Sequence, residues 1–333
     1  MIIKENIIFK DITTFHIGGK IRYFAEVSNR DEIKEALAFA KSKNLKIFII
    51  GEGSDLLIND TEFEGLVIKF TGKKYSFNGN IVTAEGGMNW DDLVGLAVEN
   101  NLQGIECLSG IPGTVGASPI QNIGAYGQEL ADCFEKLTAY NIETDEFTEF
   151  NKDDCRFGYR ESIFKEKSHW QKYLIIDVTL KLNLNTNPKI NYDSLRGLVG
   201  EGSTLEEVRN AVIKVRSEKL ENPEKVGNAG SFFKNPIITV DQKEKLEKEF
   251  PEIKIFPFED KFKVSAGWLI DKAGWKGKTH KGAGVSAKNA LLLINATGNA
   301  ESSDVFELSE MIIKDVEEKF GIKLEREVQL INF

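Results

Sequence analysis

The stretch KIFIIGEGSDLL, Lys46 to Leu57, runs a short apolar segment straight into a glycine turn. KIFII has the length and β-branched content of a buried strand, and Gly51 and Gly53 permit the positive φ that a tight turn needs. Successive backbone N–H groups in such a turn form an anion-binding nest, with Ser54 and Asp55 as hydrogen-bonding side chains. A third glycine three residues after Gly53 would complete the dinucleotide fingerprint, but that position is Leu56. No Gly-Lys-Ser/Thr follows within this turn, so a Walker loop is excluded here. Alone, the turn leaves open both a phosphate site and an ordinary reversal of the chain.

Upstream, IRYFAEV reads as a strand and SNRDEIKEALAFAKSKN as a helix, with Ile33, Leu37 and Ala40 along one stripe. Strand, helix, strand and glycine turn predict a small α/β domain over residues 1–70. Downstream, NIVTAEGG, a helical NWDDLVGLAVENN, a glycine-dense loop from Ser109 to Gly127, and strands around LTAYNIETDEFTEFN and YLIIDVTLKLN predict an α+β domain over 71–205. STLEEVRNAVIKVRSEK carries a capping box, Ser203 with Glu206, and apolar Leu205, Val208, Val212 and Val215, the pattern of a linking helix. A third domain over 215–319 alternates helices and strands again. The C-terminal strand within 320–333 is expected to join the second domain.

A chain of 333 residues exceeds one core of roughly 100–200. A net charge of −9 argues against a protein that coats nucleic acid, although a few converging cations still suffice for a small anion. Cys107, Cys133 and Cys155 are odd in number and far apart, which indicates neither a disulfide framework nor a thiolate metal site. A reducing cytoplasm fits. The N-terminus does not resemble a signal peptide, and no run reaches the roughly 18 apolar residues of a membrane span.

The second glycine loop, LSGIPGTVGASPIQNIGAYG, holds Gly110, Gly113, Gly116, Gly124 and Gly127. Ordering so much glycine is costly in backbone entropy, and the interleaved Ile111, Val115, Ile120, Ile123 and Tyr126 argue against disorder. Its backbone is therefore expected to pack against something flat or charged, and the two glycine loops together would clamp one dinucleotide. In CRFGYRESIF, Arg156 and Arg160 call for an anion, either a carboxylate of the fold such as Glu161 or a ligand. Ser231, in GNAGSFFKNP, lacks the G-x-S-x-G frame of a hydrolase nucleophile, and His16, His169 and His280 offer it no base. No two of those histidines have metal-ligand spacing. In LEREV, Glu325 and Glu327 share one strand face, ordinarily a solvated one, with Leu324, Arg326 and Val328 on the other. Lys219, Lys234 and Lys276 read as surface lysines unless they converge on one anion.

Taken in order, GEGSD, IPGTVGASPIQNIGAYG, CRFGYRESIF, GNAGSFFKNP, SAGWLID and LEREV resemble the UDP-N-acetylenolpyruvoylglucosamine reductase family, flavoenzymes of bacterial peptidoglycan precursor synthesis. The likeness runs from TTFHIGG to the C-terminal strand, and KINYDSL resembles the subtype in which a tyrosine loop closes over substrate. The resemblance implies a three-domain α+β flavoprotein of the FAD-binding PCMH/VAO-like class with a C-terminal α/β substrate-binding domain. It implies noncovalent FAD, NADPH as electron donor and no metal. The diphosphate would lie on the GEGSD turn and the isoalloxazine against the second glycine loop, with Gly51, Glu52, Gly53, Ser54, Asp55, Leu56, Gly113, Ser118, Ile120, Gln121, Gly124 and Ile175 binding the cofactor.

By the same resemblance Arg160 stabilises an enolate, Ser231 donates a proton and Glu327 helps to polarise an enol ether. Tyr126, Tyr192, Arg216, Lys219, Asn235, Lys276 and Asn289 would contact the UDP-sugar. Small molecules are the partners expected, with neither nucleic acid nor membrane, and the chain is expected to be a monomer. Three positions depart from common family residues. Asp55 stands for asparagine, and its carboxylate is unfavourable near a diphosphate unless it turns away. Arg326 stands for proline, and Asn289 for a longer glutamine. Two competing readings are a flavin oxidase with a tethered cofactor, for which Cys107 is near the second loop, and a nucleotide-binding regulator without turnover. A regulator has no need of Arg160, Ser231 and Glu327 together.

Overall fold

The computed structural model describes all residues except 185–194, 196 and 201, so Tyr192 lies outside the described residues. The chain groups into two compact units, one of Met1–Ile7, Ile21–Glu52 and Phe63–Ser217, the other of Ile8–Lys20, Gly53–Glu62 and Glu218–Phe333.

In the first unit the strands Lys20–Val27, Phe63–Phe70 and Lys46–Ile50 run parallel, and Ile3–Lys4 adds an antiparallel edge. The helix Arg30–Ser42 makes the crossover and buries Ile33, Ala36 and Ala40 against Ala25, Leu66 and Ile68. Asn29 starts it by accepting from the Asp31 and Glu32 N–H groups. Lys46–Ile50 would be an open edge, but the Gln171 amide pairs with both backbone groups of Ile49.

A second, antiparallel sheet is ordered Glu146–Asn151, Phe134–Asn141, Tyr173–Lys181, Ile81–Glu85, Tyr75–Asn78. The helix Trp90–Glu99 packs Trp90, Leu93, Val94 and Ala97 into its core. Tyr140 and Leu174 of this sheet also fill the core of the first one. The helix Leu205–Lys219 is entered one residue later than the sequence pattern predicts. The Thr204 hydroxyl accepts from the Glu207 N–H at 3.2 Å while the Thr204 N–H donates to Glu207 Oε2 at 2.8 Å. Ser203 Oγ instead accepts from the Gly200 N–H.

The second unit is built on the sheet Asn228–Ser231, Leu292–Asn295, Ala283–Val285, Thr279–His280. The helix Ser302–Phe320 buries Val305, Leu308, Ile312 and Val316 in the same core as Leu269 and Ile270 of the helix Ala266–Lys272. The C-terminal strand does not join residues 71–205 as expected. Gln329–Ile331 pairs in parallel with Leu56–Ile58, and Ile322, Leu324 and Val328 fill the second unit's core. Apolar residues at every second position fix which face is buried, and here that core is the one within reach.

A close backbone approach lies in the first unit, where the Gly116 N–H donates to the Gly86 carbonyl at 2.8 Å. A Cβ on Gly86 would stand 2.3 Å from the Ile175 carbonyl oxygen. Gly86→Ala is therefore expected to lower stability to urea by about 1–3 kcal/mol or more. Gly95→Ala, inside the helix Trp90–Glu99 with its nearest neighbour at 3.6 Å, should raise it. The gain should be up to about 1 kcal/mol.

Candidate active site

Gly51 and Glu52 of the first glycine turn belong to the first unit, Gly53 to Asp55 to the second. A Cβ on Gly51 would stand 3.1 Å from Thr114 Oγ1, and the Glu52 carboxylate accepts from Asn89 Nδ2, with both oxygens at 3.3 Å. Gly53 has φ +69°, and a Cβ there would meet the Ile12 carbonyl oxygen at 2.4 Å, so only glycine fits. Asp55 also has a left-handed backbone, at φ +59°, a conformation Asp and Asn adopt more readily than most residues. Its carbonyl accepts from the Gln329 N–H at 3.1 Å, and Oδ2 lies 3.5 Å from Gln329 Nε2.

The second loop is expected to press its backbone against something flat or charged, and its Gly116 packs closely on Gly86 and the Ile175 carbonyl. Around that contact Thr114 caps the turn Val115–Ala117, and the buried Ser118 hydroxyl donates to the Val115 carbonyl at 2.7 Å. The Ile120 carbonyl accepts from the Ser162 hydroxyl at 2.6 Å. Gln121 Oε1 is buried without a hydrogen-bond partner among the described residues, as is Gln329 Oε1. A buried orphan acceptor asks for a donor, and the isoalloxazine N–H and ribityl hydroxyls of FAD are donors of that kind. The residues present thus fit the cofactor.

Arg160, at φ +59°, donates from Nη2 to the Gly124 carbonyl at 2.6 Å and lies over the Tyr159 ring. A Cβ on Gly124 would stand 2.9 Å from Arg160 Nη1, so glycine makes room for the guanidinium. Arg156 pairs with Glu166 at 3.1 Å on the surface, and Glu161 lies 4.0 Å from Lys165. Tyr126 hydrogen-bonds Arg216, whose Nε donates to the Gly110 carbonyl at 3.0 Å. Burial holds the Arg216 guanidinium below its ordinary value, with Tyr126 and Asp91 opposing that shift. The Gly110 N–H donates to Asp91 Oδ1 at 2.6 Å, and Arg209 grips both Asp91 oxygens at 2.6 and 2.8 Å. Burial pushes the Asp91 carboxyl up, but the bonds from Arg209 and Gly110 outweigh it and leave the group below its ordinary 3.8.

Ser231 in the second unit ends a strand and is followed by the fully buried Phe232 and Phe233. The Phe232 N–H donates to the Leu291 carbonyl at 2.8 Å, and the Phe232 carbonyl accepts from the Glu327 N–H at 2.9 Å. Glu327 and Ser231 are thus held on adjoining segments of one unit, while Arg160 lies in the other. Lys234, read from sequence as a surface lysine, is 8% exposed and bonds Glu325 at 2.7 Å. Arg326 turns the other way, to Ser309 Oγ at 3.0 Å and the Glu310 carboxylate, which keeps the alternation of the glutamates intact. Asn235 Oδ1 accepts from the Ala266 N–H at 2.9 Å, and Asn289 Oδ1 from the Leu291 N–H at 3.0 Å. Lys219 and Lys276 are exposed.

Sequence reasoning missed Asn228, Gln329 and the Asp91–Arg209 pair. The Asn-x-Gly spacing of GNAGS signals the first, and the alternation Glu325, Glu327, Gln329 the second. The Asp91–Arg209 pair spans 118 residues and leaves no local trace.

These loops and sheets are those of an FAD-binding flavoprotein: a family model described as FAD binding domain matches residues 21–147. A second model, UDP-N-acetylenolpyruvoylglucosamine reductase, C-terminal domain, matches residues 222–331. The chain is 40% identical over 338 residues to the UDP-N-acetylenolpyruvoylglucosamine reductase of Pseudomonas aeruginosa, with 98% of each covered. To the same-named protein of Flavobacterium johnsoniae it is 41% identical over 343 residues, with 99% and 100% covered. The crystal structure of UDP-N-acetylenolpyruvylglucosamine reductase (MurB) from Thermus caldophilus matches with a TM-score of 0.70 at 26% identity, covering 99% of this chain and 100% of that one. The chain belongs to the UDP-N-acetylenolpyruvoylglucosamine reductase family, FAD-dependent oxidoreductases. No helix among the described residues is long and apolar enough to cross a membrane.

The buried Cys107 thiol is pushed up to about 12, by burial first and Glu106 second, and burial pushes Cys133 and Cys155 to about 12 as well. A tether to flavin needs a thiolate, the form that burial disfavours at all three cysteines. All three thiols are expected to resist a disulfide reagent at neutral pH in the folded protein and to react together in denaturant; fast labelling of native Cys107 would contradict the burial argument.

The depressed Asp91 carboxyl stabilises the fold fully above its unfolded value near 3.8, and that contribution is lost as the pH falls through the lower folded value. The stability advantage of the natural protein over Asp91→Asn, measured by urea unfolding, should therefore be largest near neutrality and shrink below 3.8. A constant gap across that range would contradict the assignment.

Proposed function

We propose that the chain reduces the enolpyruvyl ether of UDP-N-acetylglucosamine to UDP-N-acetylmuramate with NADPH, in peptidoglycan precursor synthesis, as a cytoplasmic monomer. The observation that carries the reading is the full-length likeness to relatives named UDP-N-acetylenolpyruvoylglucosamine reductase. FAD, when bound, supplies the hydride, taken from NADPH and given to C3 of the enolpyruvyl group.

The chain's own residues manage the charge that follows. As the electrons of the double bond move onto C2 and its carboxylate, Arg160 holds that carboxylate with a planar fork that lysine cannot copy. Ser231 Oγ delivers the proton to C2, and Glu327 assists in polarising the ether. Hydride and proton together saturate the double bond, so NADPH and one proton are consumed for each lactyl ether formed.

Gly51 to Leu56 would hold the FAD diphosphate, and Gly113, Ser118, Ile120, Gln121, Gly124 and Ile175 would line the ring. Tyr126, Arg216, Lys219, Asn235, Lys276 and Asn289 are assigned to the UDP-sugar, with Tyr192 as the closing tyrosine of the subtype. Arg216 supports this assignment, because a guanidinium disfavoured by burial gains most from an incoming phosphate.

Mixing the FAD-loaded protein, NADPH and UDP-N-acetylglucosamine enolpyruvate should give substrate-dependent loss of NADPH absorbance, and its absence would sink the reading. Ser231→Ala should leave flavin reduction nearly intact while substrate reduction slows by roughly 10²–10⁴-fold. Ser231→Cys should retain more activity than Ser231→Ala. Equal slowing of both half-reactions would point to a packing role.

A further inference from the structure

We propose that Asn228 is a positioning residue for Ser231, acting through a β-bulge that turns the serine to one face of its strand. This rests on the reading of Ser231 as proton donor.

The ladder carries the argument. Asn228 lies opposite Ile294, and Ser231 opposite Leu292, so three steps along one strand match two along its partner. One residue is therefore extra. In a regular ladder Gly230 would face Leu292, and the Ser231 side chain would project from the opposite face. The insertion reverses the serine.

Gly230 takes φ +77°, and nothing lies within 4 Å of where its Cβ would be. Backbone conformation, not crowding, is thus what requires glycine. Asn228 fixes that conformation. Its Oδ1 accepts from the Gly230 N–H at 3.0 Å, and its Nδ2 donates to the carbonyls of Val226 at 2.8 Å and Glu221 at 3.3 Å. The side chain uses its acceptor and its donors together, in a residue only 4% exposed. Just past the serine the chain is pinned again, by the Phe232 N–H to Leu291 and the Phe232 carbonyl to Glu327. Ser231 therefore sits between a buried asparagine turn and a buried aromatic anchor, and neither side lets the strand slip to absorb a change at the bulge.

The test uses FAD-loaded protein, reduced with NADPH and then mixed with UDP-N-acetylglucosamine enolpyruvate while the flavin spectrum is followed. Asn228→Leu should leave flavin reduction within about twofold of the natural protein. Reoxidation by substrate should slow on the order of 10²-fold, the cost of a reacting group misplaced by about 1 Å. Asn228→Ser keeps an acceptor for the Gly230 N–H and should fall between the two. Gly230→Ala acts on the bulge directly and should shift reoxidation in the same direction, which keeps the test decisive if Asn228→Leu does not fold. Reoxidation at the natural rate in the folded variants, or equal slowing of both half-reactions, overturns the proposal.

Failure of the natural protein to be reoxidised would overturn the proposed function instead. The aiming of residue 231 is then read without activity, from iodoacetamide labelling of Ser231→Cys, since Cys107, Cys133 and Cys155 are buried. Adding Asn228→Leu or Gly230→Ala should change that labelling rate by about tenfold or more, and an unchanged rate overturns the role of the bulge.

Discussion

The hydrogen bond from the Gly116 N–H to the Gly86 carbonyl, 2.8 Å long, ties the second glycine loop to the sheet beneath it. It forms only because neither residue has a side chain: a Cβ on Gly116 would stand 3.0 Å from the Gly86 Cα, and one on Gly86 would strike the Ile175 carbonyl. Ordering such a loop costs roughly 1–2 kcal/mol per residue in backbone entropy. Burial of Leu108, Val115 and Ile123 in the sheet's core offsets part of that, at about 1.5–3 kcal/mol for each side chain. Once seated, the loop has Thr114 beside Gly51, Ser118 bonded to Val115, and the Gly124 carbonyl in place for Arg160. That contact of backbone on backbone acts with the Val115 N–H to the Met88 carbonyl and the Ser162 hydroxyl to the Ile120 carbonyl to seat the loop.

The second unit achieves comparable fixity through one shared C-terminal segment. Along the segment 324–331, Leu324 and Val328 are buried while Glu325, Glu327 and Gln329 alternate to the other side. Its first part pairs with the Ser231 segment, through Phe233 with Arg326 and through the Glu327 N–H to Phe232. Its last part pairs with Leu56–Ile58, the strand that leaves the first glycine turn. A displacement of Glu327 is therefore felt both at the proposed proton donor and at the turn holding Asp55.

What the sequence made legible was local. The helices follow from 3.6-residue stripes and Asn caps, and the turn at Gly53 from its glycine. Where two local solutions overlap, sequence does not choose: Ser203 with Glu206 and Thr204 with Glu207 are both capping boxes, and the second forms. Partners distant in sequence were illegible. Lys234 is buried because Glu325 arrives from 91 residues away, and the C-terminal strand could be placed only by knowing which core received its apolar face. Arg160 shows a third limit. Pairing rules direct attention to anions and say nothing of the neutral carbonyl of Gly124, to which its guanidinium also donates.

Asp55 poses the sharpest electrostatic question, because a carboxylate stands in a turn proposed to receive a diphosphate. Two unit charges at about 7 Å repel by roughly 2–3 kcal/mol at an effective dielectric of 20, enough to weaken binding roughly 30- to 150-fold. Asparagine would avoid that cost and adopts the same left-handed backbone, so conformation alone does not explain the aspartate. Gln329 supplies the missing constraint. Its N–H holds the Asp55 carbonyl at 3.1 Å, and its amide lies 3.5 Å from Oδ2, on the strand side of the residue. An amide cannot neutralise a carboxylate, but it can hold one of its oxygens beside the strand that follows the turn. Distance and solvent then reduce the repulsion, which is how an acidic residue remains compatible with an anion-binding turn.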